Sequence, residues 1–210
     1  AHVPGLPSAF CSTDLAVQLF YLISGFYMAL VLDTKYEHST AGTRAFLFNR
    51  ILRIYPLYFF ALFIRLLTPN VGLYLEHWAG LKPLLLGVFA ASNLFVVGQD
   101  MFLWLGIDLQ GNLFLTSNFQ NIPRSLHTLV LVPQAWSLAI ELIFYALSPW
   151  LLRKSTRTLG LVIAVSLAMR VFLASQGFGH DPWTYRFWPC EIGIFLLGAL
   201  SYRWGWGRSL

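Results

Sequence analysis

The hydrophobic residues of this chain are gathered in long runs, separated by short polar or basic segments. A helix needs about 20 mostly apolar residues to cross the roughly 30 Å hydrocarbon core of a bilayer. Runs near this length predict helices at about 15–33, 54–68, 81–98, 135–152, 159–175 and 187–203. The pattern therefore predicts an all-α fold, a polytopic transmembrane helix bundle with about five to seven membrane segments.

Small or polar residues interrupt two of these runs. In the first, "LFYLISGF", Ser24 and Gly25 let a neighbouring helix or a substrate arm approach the backbone, and helix packing is the preferred interpretation. The third run contains Gly87 and Asn93, which membrane segments tolerate where the backbone lines a cavity, so we predict a broken or re-entrant segment there. Pro56 is predicted in the first turn of the second helix, where its missing N–H is harmless.

Lysine and arginine residues between the runs predict the orientation of the chain. Segments rich in Lys and Arg stay in the cytoplasm. This rule places 34–53, 153–158 and the C-terminus on the cytoplasmic side. For 34–53 and 153–158 to lie on the same side, an even number of membrane crossings must separate them. The helices at 54–68 and 135–152 provide two crossings, so the segment 81–116 must enter and leave the membrane on one side or cross it twice.

Composition also favours a membrane protein. Of 210 residues, 57% are hydrophobic and 11% charged, with a mean hydropathy of +0.64, whereas about 25% of residues are charged in a soluble domain. The net charge of +5 comes in bursts rather than as a stripe on a soluble face, so no nucleic-acid partner is expected. No linker or repeat divides the chain, which predicts a single membrane-embedded domain over 1–210. The sequence starts without an initiator Met and stops just after an apolar run, so we expect the domain to be truncated at both ends.

The basic segment before the second helix is a candidate anion site. It contains Arg44, Arg50 and Arg53. Arg50 and Arg53 are three residues apart and share a face if the segment is helical. Two guanidinium groups on one face suit a phosphate-rich ligand, because each offers a planar fork of donors. The same charges also satisfy the positive-inside rule without any ligand.

Acidic residues inside predicted membrane segments are costly and need a partner or a role. Glu141 in "WSLAIELIFYALSP" has either a functional role or a structural ion pair with Arg65 or Arg170. Glu191 is expected to form a structural pair with Arg186.

Histidines and cysteines show no metal-ligand spacing, so no metal site is expected. His38, His77 and His180 lie in stretches that are predicted to be loops, and His127 precedes the fourth helix near a possible cavity mouth. The sequence has no P-loop, nucleophile elbow or dinucleotide fingerprint.

Three ordered stretches resemble the membrane acyltransferase-3 family, the bacterial O-acetyltransferases that modify cell-surface and exported glycans. They are "VQLFYLISGFYM", "RAFLFNRILRIYPLYFF" and "WSLAIELIFYALSPWLL". A looser match to a later family pattern runs from Arg186 and Glu191 to Phe195 and Gly198.

The resemblance implies a reaction and a donor. His2, in "AHVPGLPSAF", matches the family's catalytic base, and Glu141 would orient its imidazole or hold an arginine. Direct transfer with His2 as the base and transfer through a covalent acyl-His2 intermediate both stay open. Acetyl-CoA from the cytoplasm would be the acyl donor, with its phosphates bound by Arg44, Arg50 and Arg53.

The resemblance also implies the remaining parts of the site. Ser24, Gly25, Trp136 and Tyr145 would line the substrate cavity. The acceptor would be a hydroxyl group of a carbohydrate, and the protein would lie in the bacterial cytoplasmic membrane.

Two alternatives stay open at this point. A transporter or flippase would also use intramembrane Glu141 and Arg65 and a broken helix along a substrate path. A non-catalytic remnant of an acyltransferase would keep the same motifs without activity.

Overall fold

The computed structural model describes residues 13–36, 38–69, 71–108 and 110–205, which are mainly helical. The α-helices within these ranges are α1 Thr13–Thr34, α2 Thr40–Leu66, α3 Val71–Ala79, α4 Pro83–Phe95, α5 Trp136–Leu151, α6 Thr156–Ser175 and α7 Trp188–Arg203. Strand β1, Leu105–Ile107, pairs antiparallel with β2, Leu113–Leu115. With 72% helix, the all-α prediction is confirmed.

Three of the described helices are long and apolar enough to cross a membrane by length and composition: α1, α2 and α6. Apolar side chains cover the outer surface of α6, where Leu161 and Val171 are 66% and 69% exposed. Such exposure is expected where lipid replaces water as the solvent. The chain is therefore an integral membrane protein.

The chain divides into two compact units. The three-helix unit contains α1, α6 and α7, and the four-helix unit contains α2 to α5 together with the β-hairpin. The prediction of one functional domain over 1–210 stays a prediction.

In the three-helix unit, α1 and α7 touch backbone to backbone through two glycines. A Cβ atom on Gly25 would lie 1.8 Å from the carbonyl oxygen of Phe195, and one on Gly198 would lie 1.8 Å from that of Leu22. No side chain fits at either position. The helix-packing interpretation of Gly25 is confirmed.

Helices α6 and α7 are joined by polar contacts. Ser166 Oγ lies 2.9 Å and 3.0 Å from the carbonyl oxygens of Pro189 and Cys190 and accepts from the N–H of Gly193 at 3.1 Å. Near it, the guanidinium of Arg170 pairs with the carboxylate of Glu191, which is fully buried.

The predicted pair between Arg186 and Glu191 is wrong. Glu191 lies in the first turn of α7 and faces α6, so the residue that reaches it is Arg170 of α6. Arg186 precedes α7 and pairs at 2.9 Å with Asp181 of the same loop.

In the four-helix unit, α2 begins much earlier than predicted. Ser39 caps the helix by accepting from the N–H of Gly42 at 3.0 Å, so most of the basic segment is helical. Pro56 therefore lies inside the helix rather than in its first turn. It removes the hydrogen bond to the carbonyl of Leu52, a half-exposed position.

Helix α4 is short and ends beside the middle of α2. It has 13 residues, a length of about 20 Å. At its end, the Tyr58 hydroxyl donates to the Asn93 carbonyl and the Tyr55 hydroxyl to the Phe95 carbonyl, both from α2. Val96 then turns the chain with a positive φ of 66°.

The segment after α4 returns along it. Phe102 of the following 3-10 helix stacks on Phe89 of α4 at 5.0 Å, and the two join a buried cluster with Ile107 of β1. Helix α4 is therefore short and followed by an irregular return, and the prediction that this segment is re-entrant in the membrane stays a prediction.

Candidate active site in the four-helix unit

Arg50 lies on the buried stripe of α2. The stripe repeats every four residues, as one face of a helix does: Phe46, Arg50, Ile54 and Tyr58. Arg50 is only 9% exposed. Its Nε and Nη1 atoms are buried and have no hydrogen-bond partner among the described residues.

Two aromatic rings flank the Arg50 guanidinium. Its Cζ atom lies 5.4 Å from the centroid of the Phe46 ring and 6.0 Å from that of Tyr145. Ring faces attract a cation but accept no strong hydrogen bonds from it. Because a buried donor without a partner costs free energy, the arrangement favours an anionic ligand whose oxygen atoms satisfy these nitrogens.

Glu141 and Tyr145 form the acidic side of the site. They are one turn apart on α5, both are buried, and the Tyr145 hydroxyl donates to Glu141 Oε1 at 2.5 Å. The same tyrosine thus contacts the carboxylate with its hydroxyl and the guanidinium with its ring. Arg50 and Glu141 are brought together through Tyr145.

The two arginines proposed as ion-pair partners of Glu141 contact other residues. Arg65 instead donates to the Tyr74 hydroxyl, with its Cζ 4.6 Å from the Tyr74 ring centroid. Arg170 pairs with Glu191 in the three-helix unit. Both basic residues already have partners that the spacing in the sequence did not indicate.

The three predicted donor-binding arginines have different environments. Arg53 lies one turn after Arg50 on α2 and is exposed. Arg44 is exposed and lies nearly two turns before Arg50. Arg50 is therefore the buried member of the set.

The predicted cavity residues are distributed over both units. Trp136 is the first residue of α5 and is buried. Ser24 and Gly25 are buried on α1 of the three-helix unit. Their part in a substrate cavity stays a prediction. His2 lies outside the described residues.

Two other histidines have defined settings. His77 is on α3 rather than in a loop, and its ring Nδ1 donates to the Leu73 carbonyl one turn earlier. His127 packs edge-on against the Phe119 ring at 5.2 Å. No group of three metal-binding side chains occurs within the described ranges.

Sequence reasoning missed a buried polar cluster beside the turn after α4. Gln99 Nε2 donates to the Ser92 carbonyl at 3.0 Å and lies 3.3 Å from the Tyr58 hydroxyl. Asn93 Oδ1 accepts from the N–H of Leu131 at 3.0 Å. The amide side chains within an apolar stretch were the available signal, since such groups need partners in a membrane.

Comparison with models of known protein families identifies the family of this chain. The acyltransferase-3 family model, described as an acyltransferase domain, matches residues 5–210. No curated protein and no solved structure matches the chain.

Proposed function

The chain belongs to the acyltransferase-3 family of membrane acyltransferases, and we propose that it transfers an acetyl group from acetyl-CoA to a carbohydrate hydroxyl. The acceptor belongs to a cell-surface or exported glycan, and the protein acts in the bacterial cytoplasmic membrane. Buried Arg50, whose Nε and Nη1 lack hydrogen-bond partners among the described residues, beside the Tyr145–Glu141 pair is the observation that carries the proposal.

Arg50 would bind a phosphate group of the donor. Its Nε and Nη1 lack hydrogen-bond partners among the described residues, and a guanidinium binds phosphate through charge-assisted N–H···O bonds. Arg53 and Arg44 would add exposed positive charge that attracts the donor without enclosing it. The positive-inside rule places this end of α2 in the cytoplasm, where acyl-CoA is made.

The chemical step follows from the family resemblance. His2 would accept the proton of the sugar hydroxyl as its oxygen attacks the acetyl carbon, a contribution of about 10²–10⁴-fold for a general base. The new C–O ester bond forms, the C–S thioester bond breaks, and the CoA thiolate takes up the proton. Glu141 would hold the phenol of Tyr145 and, with it, the ring that supports Arg50.

Donor binding tests the proposal. In detergent, acetyl-CoA should bind the wild type, and Arg50→Met should weaken binding by at least about tenfold, because charge-assisted hydrogen bonds are lost. Arg53→Ala should have a smaller effect because Arg53 is exposed, and Arg44→Ala the smallest because Arg44 is also exposed and lies farther along α2 from Arg50. Arg157→Ala, which removes an exposed arginine of the three-helix unit, is the control.

Equal affinities in all four variants would leave the arginines as topology charges only. The same titration separates the alternatives, since a glycan transporter or flippase has no reason to bind CoA. A non-catalytic remnant would bind the donor without transferring the acetyl group.

Transfer itself is tested with His2→Ala. We expect loss of acetyl transfer while membrane expression and acetyl-CoA binding persist. Retained transfer would exclude His2 as the base.

A further inference from the structure

A cleft of about 600 Å³ lies in the four-helix unit, away from Arg50. We call it the hairpin cleft; the residues that line it include Tyr74, His77, Lys82, Gln110, Arg124 and Thr128. They come from α3, the segment before α4, the turn of the β-hairpin and the segment after it. The volume is typical of small-molecule sites.

The hairpin cleft gathers scarce positive charge. Lys82 and Arg124 are the only lysine or arginine residues between Arg65 and Arg153, and both line it. Basic residues are depleted on the side of a membrane protein that faces away from the cytoplasm. Two that remain, far apart in sequence but lining one cleft, need a reason beyond topology.

Hydrogen-bonding groups beside these charges remain available to a ligand. Arg124 is exposed, and its guanidinium has no ion pair within the described ranges. His77 donates from Nδ1 to the Leu73 carbonyl, so Nε2 of His77 is left for other contacts. Thr128 donates to the Ser125 carbonyl and keeps its oxygen as an acceptor.

The described lining of the hairpin cleft contains basic residues and no acidic one. Glu76 and Asp108 are adjacent in sequence to lining residues but do not line the cleft themselves. Asp108 Oδ1 accepts from the N–H groups of Gln110 and Asn112 at 2.9 Å and 2.7 Å, which holds this carboxylate in the hairpin turn. Lys82 donates to the side chain of Asn112. The described lining is therefore net positive.

The position of the hairpin cleft relative to Arg50 follows from α2. The steps from Arg50 to Leu66, the last residue of α2, correspond to about 24 Å of helix. Tyr74 and His77 of the cleft follow on α3, directly after that end. The cleft therefore lies near the far membrane surface if Arg50 lies near the cytoplasmic one.

We propose that the hairpin cleft binds the acceptor, and that the acceptor is an acidic glycan with a carboxylate or phosphate group held by Lys82 and Arg124. The proposed function is needed only to identify the bound glycan as the acceptor of the acyl group. Binding of an acidic oligosaccharide is a property of the cleft and is measured without acyl transfer.

The experiment uses the full chain in nanodiscs of neutral phosphatidylcholine and titrates tri-galacturonate by calorimetry. The fully methyl-esterified trisaccharide, which has the same sugars without charge, is the matched probe. We expect the acid to bind at least about tenfold more tightly than the ester, as for charge-assisted contacts. The double variant Lys82→Gln/Arg124→Gln should lose this preference.

Two protein controls accompany it. Lys154→Gln/Arg157→Gln removes two exposed positive charges of the three-helix unit and should leave the preference unchanged. If the double variant at the cleft fails to fold, Arg124→Gln alone answers the question, because its side chain is exposed. We expect a loss of about threefold or more from that single change.

Equal binding of acid and ester, or an unchanged preference in the cleft variants, would overturn the proposal. A lipid headgroup as the natural ligand would be recognised in nanodiscs containing phosphatidylglycerol. There the two side chains would select labelled phosphatidylglycerol, and tri-galacturonate would bind the wild type and the variants alike. Acetyl-CoA affinity, measured on the same samples, reports on the proposed function separately.

Discussion

Each unit of the molecule uses an arginine in an apolar setting, and the two arginines have opposite surroundings. Arg170 in the three-helix unit faces the fully buried carboxylate of Glu191. Arg50 in the four-helix unit faces the rings of Phe46 and Tyr145. Among the described residues, Nε and Nη1 of Arg50 lack a hydrogen-bond partner, and so do Nε of Arg170 and Oε2 of Glu191. The two arginines therefore differ in charge pairing: a carboxylate neutralises Arg170 within its unit, whereas Arg50 has no ion pair with a described residue.

The backbone shows the same difference. In the three-helix unit, glycines bring α1 and α7 into direct contact, and Ser166 binds the start of α7. The four-helix unit has a broken course, with α4 ending beside the middle of α2 and an irregular return segment held by Asn93 and Gln99. Irregular backbone inside a membrane needs such polar partners.

Of the changes that test this difference between the units, glycine replacement should have the largest effect on stability. Gly198→Ala would place Cβ 1.8 Å from the Leu22 carbonyl oxygen, and overpacking of this kind costs about 3 kcal/mol. Gly87→Ala in the four-helix unit meets nothing within 4 Å and should be neutral or stabilise by up to about 1 kcal/mol. The free energy of unfolding in mixed micelles measures both effects. Similar losses of stability in the two variants would remove the distinction between the units.

Arginine replacement should change stability in opposite directions in the two units. Arg170→Met leaves Glu191 buried without its partner and should cost about 2 kcal/mol, below the usual range because Arg170 is partly exposed. Arg50→Met removes unsatisfied buried donors and should leave stability unchanged or raise it by about 1 kcal/mol. A marked loss of stability from Arg50→Met would show that Arg50 has a structural role.

Tyr145→Phe should have a moderate effect. It removes the hydrogen bond to Glu141 but keeps the ring beside Arg50, so we expect a loss of about 1 kcal/mol in stability. Donor affinity should fall less than in Arg50→Met. The unfolding experiment and the acetyl-CoA titration together test this, and a donor affinity as low as that of Arg50→Met would contradict it.

Acid should give the smallest effect, confined to the β-hairpin turn. Hydrogen bonds from the backbone and side-chain N–H groups of Asn112 lower the pKa of the exposed Asp108 carboxyl. A group with a lowered pKa stabilises the fold above its unfolded value, about 3.9, and this contribution is lost as the pH falls through the folded value. Hydrogen exchange at Gln110 and Asn112 should therefore speed up only below about pH 4, after correction for intrinsic rates.

Asp108→Asn is the matched control for the acid effect. It retains the Oδ1 acceptor and removes the titration, so the dependence on pH should disappear while the turn persists. An equal acid response in this variant would assign the effect to another group.

Much of the fold could be predicted from the sequence because lipid requires long apolar runs. The predicted bounds of α1, α5, α6 and α7 agree with the structure to within a few residues. The start of α2 was missed because Arg44, Arg50 and Arg53 indicated a loop, although Ser39 followed by Thr40 is a typical helix start. Basic residues at the membrane surface occur both in loops and in helices, so they do not decide between the two.

The site was predictable in its residue types but not in its arrangement. Arg50 and Glu141 were named from the sequence, yet the ring of Tyr145 as the link between them follows from packing of α2 against α5. Burial distinguishes Arg50 from Arg53, and two arginines on one helical face look alike in a sequence. The partner of Glu191 depended on which helix lies opposite, which no local spacing encodes.

Helix α2 links the position of Arg50 to bilayer thickness. Its 27 residues measure about 40 Å, more than the roughly 30 Å of hydrocarbon in a typical bilayer. The excess must be accommodated by tilt or by extension into the headgroup layer, and thicker or thinner membranes change that balance. The depth of Arg50 below the lipid phosphates then varies with acyl-chain length, so lipids with longer chains should draw it away from the aqueous phase.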